Sequence, residues 1–268
     1  MMMGSEHIGG YRLLAWETID SAQVPGAATM LHLMRRGDEF AIWVDGRPLM
    51  TSREHGSEDA LADLVCDRLS SSRHAPGPLT RAGKRPTPAK PAPAPLDPCI
   101  LVGGLGMGFT LAAALRRLPA DGCVEVAEIV PQVVEWNRGP IAHLAGFPLQ
   151  DPRVIVHQAD VAEVLRNLGC RAAPATIPRY DAILLDVDNG PKSLSTPANE
   201  WLYSPEGIRT AVASLRPSGF LAVWSAGPDP SFTSRLRRAG LQVEELAVRS
   251  RGSKGGHRHT VWLARLPL

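Results

Sequence analysis

The chain has little of what marks a nucleic-acid binder, a disulfide-stapled domain or a membrane protein. Aromatic residues make up 5% of its 268 residues, so platforms for base stacking are scarce. The formal net charge is +2, too small to signal a polyanionic partner by composition. The four cysteines, Cys66, Cys99, Cys123 and Cys170, are spaced too widely for a zinc knuckle or a disulfide framework. Three of them sit in apolar segments, where they read as small hydrophobes, and no metal is expected. No apolar run approaches the length that spans a bilayer, and the first seven residues show no basic stretch leading into an apolar one. The expectation is a cytoplasmic protein with no nucleic-acid and no membrane partner, acting on a small molecule.

A hydrophobic content of 44% is enough for one substantial α/β domain and a smaller unit. Short strand-like runs at Arg12–Ile19, Thr29–Met34 and Glu39–Val44, with Asp45-Gly46 as a hairpin turn, predict a small antiparallel β unit over residues 1–56. Residues 57–73 read as a bridging helix, with Ala60, Leu61, Leu64, Val65 and Leu69 on one face and acids on the other. Residues 74–97 are rich in Pro and Ala and basic through Arg81, Lys84, Arg85 and Lys90. They cannot bury enough apolar surface to order themselves, and a semi-extended, solvated tether is a better reading than a polyanion contact.

From residue 98 to 268 apolar runs alternate with helical patterns, the runs lying at Ile100–Val102, Cys123–Ala127, Val154–Val156, Ala182–Leu185 and Phe220–Trp224. Two final runs, Gln242–Val248 and His259–Ala264, are joined by a Gly/Lys/Arg-rich turn with no crossover helix. The predicted fold class is α/β: a doubly wound, mostly parallel, seven-stranded methyltransferase-like Rossmann sheet.

The first run breaks into Gly103-Gly104-Leu105-Gly106-Met107-Gly108 and passes directly into a helical pattern. Gly103, Gly104, Gly106 and Gly108 let the backbone turn tightly and approach a ligand where no Cβ fits. Each following strand then ends in an acid: Glu128, Asp160, and Asp186 followed by Asp188. In an open α/β sheet these ends face one crevice. Glu128 can accept ribose hydroxyls and Asp160 an adenine amino group, although either acid also suits a helix N-cap or first turn. No P-loop lysine follows the glycines, which disfavours a triphosphate, whereas a sulfonium cation suits carboxylates. Asp186 is the candidate for chemistry, able to hold or deprotonate an amine nucleophile, with a loop-capping role as its alternative. Asp188 and Asn189 belong to the same loop.

These residues give the chain a resemblance to the spermidine synthase-like aminopropyltransferases, within the class I S-adenosylmethionine-dependent fold. It is carried by Asp45-Gly-Arg-Pro-Leu-Met-Thr51, Val126-Ala-Glu-Ile-Val-Pro131, Asp151–Asp160, Tyr180-Asp-Ala-Ile-Leu-Leu-Asp186 and Leu202-Tyr-Ser-Pro-Glu-Gly207. The resemblance implies an adenosyl-sulfonium donor, S-adenosylmethionine or its decarboxylated form, held by Glu128 and Asp160. It also implies Asp186 acting on a small-molecule amine, and a homodimer. Tyr203, Asp188, Asn189 and Glu58 are the acceptor-binding candidates; for Glu58, a helix N-terminus capped by Ser57 is an equal reading.

The glycine loop departs from the family. Where the family carries an aspartate that binds the donor's free amine, this chain has the uncharged Leu105-Gly-Met-Gly108. That opens a second function, methyl transfer to a small molecule from the intact donor, and a third, a non-catalytic nucleoside-binding relative. His257, Arg258 and His259, clustered with Lys254, read as a solvated edge rather than a metal site. Trp224 reads as an acceptor-pocket wall or a buried strand end.

Overall fold

The computed structural model describes residues 7–8, 11–12, 14–73, 97–170, 180–187, 190–191 and 199–267. A two-residue ladder between β1 (His7–Ile8) and β2 (Tyr11–Arg12) precedes an antiparallel meander. Its strands are β3 (Glu17–Gln23), β4 (Met30–Arg36), β5 (Glu39–Val44) and β6 (Arg47–Thr51), each paired with the next. The first starts five residues later than the apolar run Arg12–Ile19 suggests. It is a mostly exposed edge strand with a register shift between Thr18 and Asp20, so neither alternation nor continuity marks its limits. Asp45 and Gly46 turn the chain from β5 to β6 with φ of +50° and +73°, the two positive values that a type I′ hairpin requires.

The large sheet contains β7 (Cys99–Gly103), β8 (Cys123–Ala127), β9 (Val154–His157), β10 (Tyr180–Leu185), β11 (Leu215–Ser225), β12 (Gln242–Arg249) and β13 (Arg258–Arg265). Their order is β12-β13-β11-β10-β7-β8-β9, parallel from β9 to β11, with β13 antiparallel to both β11 and β12. This is the seven-stranded methyltransferase-like sheet that the alternating runs and the terminal hairpin predict. Strand order reverses between β7 and β10, which puts the ligand crevice outside the carboxyl ends of those two strands.

Helix α1 (Gly56–Arg73), read from the sequence as a bridge, lies beside α2 (Phe109–Arg117) in the layer covering one face of the sheet. Leu61, Ala62 and Val65 are completely buried, in one core with Leu111 of α2, Phe220 of β11, and Leu33 and Ile42 of the small sheet. Full burial of a Leu or Val stabilises by about 1.5–3 kcal/mol, so tertiary packing holds this helix. Its acids do not simply face water. Asp59 pairs with Arg116 at 3.0 Å, Asp63 with Arg117 at 4.0 Å, and Arg117 also pairs with Asp67. These side chains are 23–57% exposed, so the pairs align the two helices more than they stabilise them.

The small sheet is fastened to α3 (Pro131–Arg138) through Asp20, which accepts hydrogen bonds from Trp136 Nε1 at 2.9 Å and Gln132 Nε2 at 2.6 Å. The turn between β12 and β13 is also docked. The Gly56 N–H donates to the Ser250 carbonyl at 2.7 Å, and Arg251 donates twice to Glu54 Oε1, at 3.0 and 2.6 Å. A Cβ on Gly56 would come within 2.5 Å of the Gly252 nitrogen, so only glycine admits this approach. Among the described residues no helix is long and apolar enough to cross a membrane.

Candidate active site

The glycine loop takes its shape from backbone that other residues resist. Gly104 sits at φ +89°, and a Cβ there would lie 2.4 Å from the Asp186 carbonyl oxygen. The Gly104 N–H bonds to Ala127 and the Asp186 N–H to Gly103, both at 2.9 Å, which locks three strand ends together. Asn137 of α3 donates to the Gly106 carbonyl at 2.8 Å and pins the far side of the loop. Nothing in the sequence singled out Asn137.

Glu128, just past β8, is 7% exposed and accepts the Leu105 N–H at 3.0 Å on Oε2 and the Val130 N–H at 2.9 Å on Oε1. Burial raises its pKa, and these backbone N–H groups oppose the rise. The same carboxylate lines the cavity, where ligand hydroxyls would share it with these backbone donors. Asp160 caps α4 (Val161–Cys170) by accepting the Ala162 N–H at 2.8 Å, and it also lines the cavity. The capping and ligand-facing readings are thus compatible.

Past β10, Asp186 Oδ2 accepts the Thr110 hydroxyl at 2.6 Å. Glu58, from the first turn of α1, is 8% exposed. Glu58 and Asp186 line one cavity of about 200 Å³ together with Gly104, Gly106, Glu128 and Asp160, and Leu31, Ile42 and Met50 of the small sheet help to close it. Burial, and then the charge of Asp186, push Glu58 up to about 7 against the hydrogen bond from Ser57. Burial lifts Asp186 to about 6 against the bond from Thr110. Two acids that ionise this reluctantly side by side on one wall favour a cation bound near them. The four acids are the whole titratable complement of this wall among the described residues, since it includes no Lys, Arg or His.

The remaining candidates divide. Gly103 and Gly108 shape the loop without lining the cavity: Gly103 packs against Val161 and Leu185, and Gly108, at φ +82°, opens α2. Tyr203 also lies off the wall. It is 3% exposed, its ring meets Phe232 edge-on, and its hydroxyl donates to the Val187 carbonyl at 3.0 Å, bracing the segment after Asp186. Asp188, Asn189 and residues 74–96 lie outside the described residues.

Trp224 is at the wall, and its indole N–H has no hydrogen-bond partner among the described residues. His259, assigned from sequence to a solvated edge, is half-buried instead. Its ring meets Trp224 edge-on at 4.7 Å and its Nδ1 lies 2.8 Å from Ser57 Oγ, while Lys254, His257 and Arg258 are exposed. Sequence reasoning missed Thr110, Asn137 and the functional placement of Ser57. Only Thr110, two residues after the last glycine, carries a positional signal.

One group of metal-type ligands lies outside the cavity. Cys99, Cys123 and Glu125 bring one ligand atom each within 4.8 Å of one another, while Cys99 packs in the hydrophobic core and Cys123 against it, as small apolar side chains. Burial raises both thiols, and Glu125 already accepts from the Tyr180 hydroxyl at 2.9 Å and pairs with His157 Nε2 at 2.7 Å. Protein donors thereby satisfy the carboxylate.

Fold and crevice together define an α/β protein with a methyltransferase-type sheet, a small antiparallel sheet above it and an acid-lined cavity between. Among solved structures this chain is similar to spermidine synthase from Thermotoga maritima, with a TM-score of 0.62, 16% identity, and 92% of this chain and 72% of that one covered. It is also similar to a probable spermidine synthase from Corynebacterium glutamicum, with a TM-score of 0.56, 14% identity, and coverage of 93% and 79%. At these identities the similarity is a likeness of fold. No protein-family model and no curated protein matches the chain.

Proposed function

We propose that this protein is a transferase that uses an adenosyl-sulfonium donor. In this reading it is most like a spermidine synthase-type aminopropyltransferase, moving the 3-aminopropyl group of decarboxylated S-adenosylmethionine to an amine. The observation that carries the reading is the charge of the cavity, whose described wall offers four carboxylates and no cation. Opposite unit charges 4 Å apart attract by about 4 kcal/mol at an effective dielectric constant near 20. A decarboxylated donor brings a sulfonium and an ammonium, and an amine acceptor brings another cation, and a wall of carboxylates attracts all three. The intact donor also brings a carboxylate, which this wall leaves without a cationic partner.

In this reading Glu128 accepts the ribose hydroxyls and Asp160 the adenine amino group, while the glycine loop carries backbone up to the donor. Asp186 and Glu58 hold the acceptor amine and take its proton. The free amine then attacks the transferred carbon, a C–N bond forms, the C–S bond breaks, and its electron pair stays on sulfur to give a neutral thioether. In-line positioning supplies most of the acceleration.

A second reading, methyl transfer from the intact donor to a small molecule, is favoured by one feature. Leu105 and Met107 are 4% and 0% exposed, so the glycine loop offers the donor's tail no acid. Incubation with each donor and a panel of amines separates the readings. The proposal expects 5′-methylthioadenosine from the decarboxylated donor, lost in Asp186→Asn while donor binding persists. S-adenosylhomocysteine from the intact donor alone would establish the second reading. Donor binding without turnover on any acceptor would leave a nucleoside-binding relative.

A further inference from the structure

Deprotonating an acceptor inside an acid-lined cavity raises the question of where the proton goes. Transfer between a protonated amine and a sulfonium donor yields a protonated secondary amine and a neutral thioether, so one proton leaves per turnover. The Ser57 hydroxyl donates to Glu58 Oε2 at 2.5 Å, and Ser57 Oγ lies 2.8 Å from His259 Nδ1. Ser57 is completely buried, Glu58 lies on the cavity wall and His259 is half-buried, so the three residues form a chain that starts at the cavity and leads away from it. Residues 57 and 259 are 202 positions apart. The docked turn between β12 and β13 is what brings them together.

We infer that Ser57 and His259 are relay residues that carry the acceptor's proton from Glu58 out of the cavity. The inference rests on the transferase reading above. When Glu58 holds the proton, it donates to Ser57 and Ser57 donates to the bare Nδ1 of His259. Passing the proton along reverses both bonds: Glu58 becomes the acceptor of the Ser57 hydroxyl, Nδ1 keeps a hydrogen, and the second ring nitrogen gives up its own hydrogen to solvent. One proton enters and one leaves, so no group ends with a changed charge; the ring is left as its Nδ1–H tautomer and must exchange back through solvent, with the serine hydroxyl turning again, before the next turnover. Glu58 holds its proton more tightly than an ordinary carboxyl and His259 less tightly than an ordinary imidazole, so the ring carries the proton only in passing on its way to solvent. Asp186 and His55 face Glu58, His55 being tied to Asp59, which Arg116 also binds. His257 and Glu54 face His259, where burial first and the His257 charge second favour the neutral ring that hands its proton on.

The test compares Ser57→Ala, Ser57→Thr and His259→Ala with the wild type. Cutting the relay is expected to lower kcat about tenfold or more with the donor KM unchanged, and to increase the solvent deuterium isotope effect on kcat. Added imidazole should restore His259→Ala but not Ser57→Ala, and Ser57→Thr, which keeps the hydroxyl, should remain active. Wild-type kcat and isotope effect in His259→Ala would overturn the relay. So would a loss of donor binding that matches the loss of rate, since that marks a structural role. A substrate-free measurement keeps the relay and the transferase reading apart. In an NMR titration the His259 ring should report the protonation of Glu58, and this step should vanish in Glu58→Gln. If the step is present but no amine is turned over, the transferase reading alone fails; if it is absent, the relay fails.

Discussion

Replacing Glu58 with Gln should make the protein more stable at alkaline pH while impairing its chemistry. Glu58 moves from an ordinary value of 4.5 to about 7 on folding, because burial and the charge of Asp186 oppose its ionisation. The folded state therefore holds this proton more tightly than the unfolded chain. The stability that goes with it is fully present below about pH 4.5 and is lost as the pH rises through about 7. At 1.36 kcal/mol per pH unit, the loss is at most about 3 kcal/mol. Gln keeps an oxygen to accept the Ser57 hydroxyl but cannot ionise, so the variant escapes the loss. Thermal denaturation from pH 4.5 to 8.5 should show curves that meet near the acid end and diverge above neutrality. The variant should melt higher by up to about 6–12 °C at pH 8, at roughly 2–4 °C per kcal/mol for a chain of this size. Parallel curves would refute the buried-acid argument, and with it the electrostatic basis assigned to the cavity.

Further substitutions probe the supports of the site. Gly104→Ala should destabilise the fold by at least about 2 kcal/mol in denaturant titrations, because it puts a Cβ at positive φ and 2.4 Å from the Asp186 carbonyl. Thr110→Val removes the hydroxyl that opposes the raised pKa of Asp186, so the acid limb of the pH–rate profile should move to higher pH. Glu128→Gln places an amide donor where backbone N–H groups already point, and calorimetry should show donor affinity reduced about 10- to 100-fold, roughly 1.4–2.7 kcal/mol.

Much of this molecule is legible in its sequence, and the exceptions share a cause. The central strands β7, β8, β10 and β11 are located by their apolar runs, although β8 carries Glu125 in its middle and β10 and β11 begin at Tyr180 and Leu215, before the runs that mark them; the acids follow β8 and β10 as read. The edge strand β3 does not, because Glu17, Thr18 and Gln23 are exposed and leave no hydrophobic period to follow. The periodicity of α1 located its apolar face and put its acids on the other, with Glu58 as a candidate for the site, but it could not name the partners of the rest. Packing beside α2 and under the small sheet turns Glu58 inward and gives Asp59 and Asp67 arginine partners. His259 was read with its charged neighbours in the turn, whereas its environment comes from Ser57 and Trp224, which are remote in sequence. Local pattern reports which way an element faces its own core. It does not report which partner a polar residue meets across 202 positions.

Titration calorimetry with the two donors tests the central claim most directly, because it reads the charge of the cavity without requiring the right acceptor. The account predicts that the wild-type protein binds decarboxylated S-adenosylmethionine at least tenfold more tightly than the intact form, a difference of about 1.4 kcal/mol. A preference of that size for intact S-adenosylmethionine would contradict it.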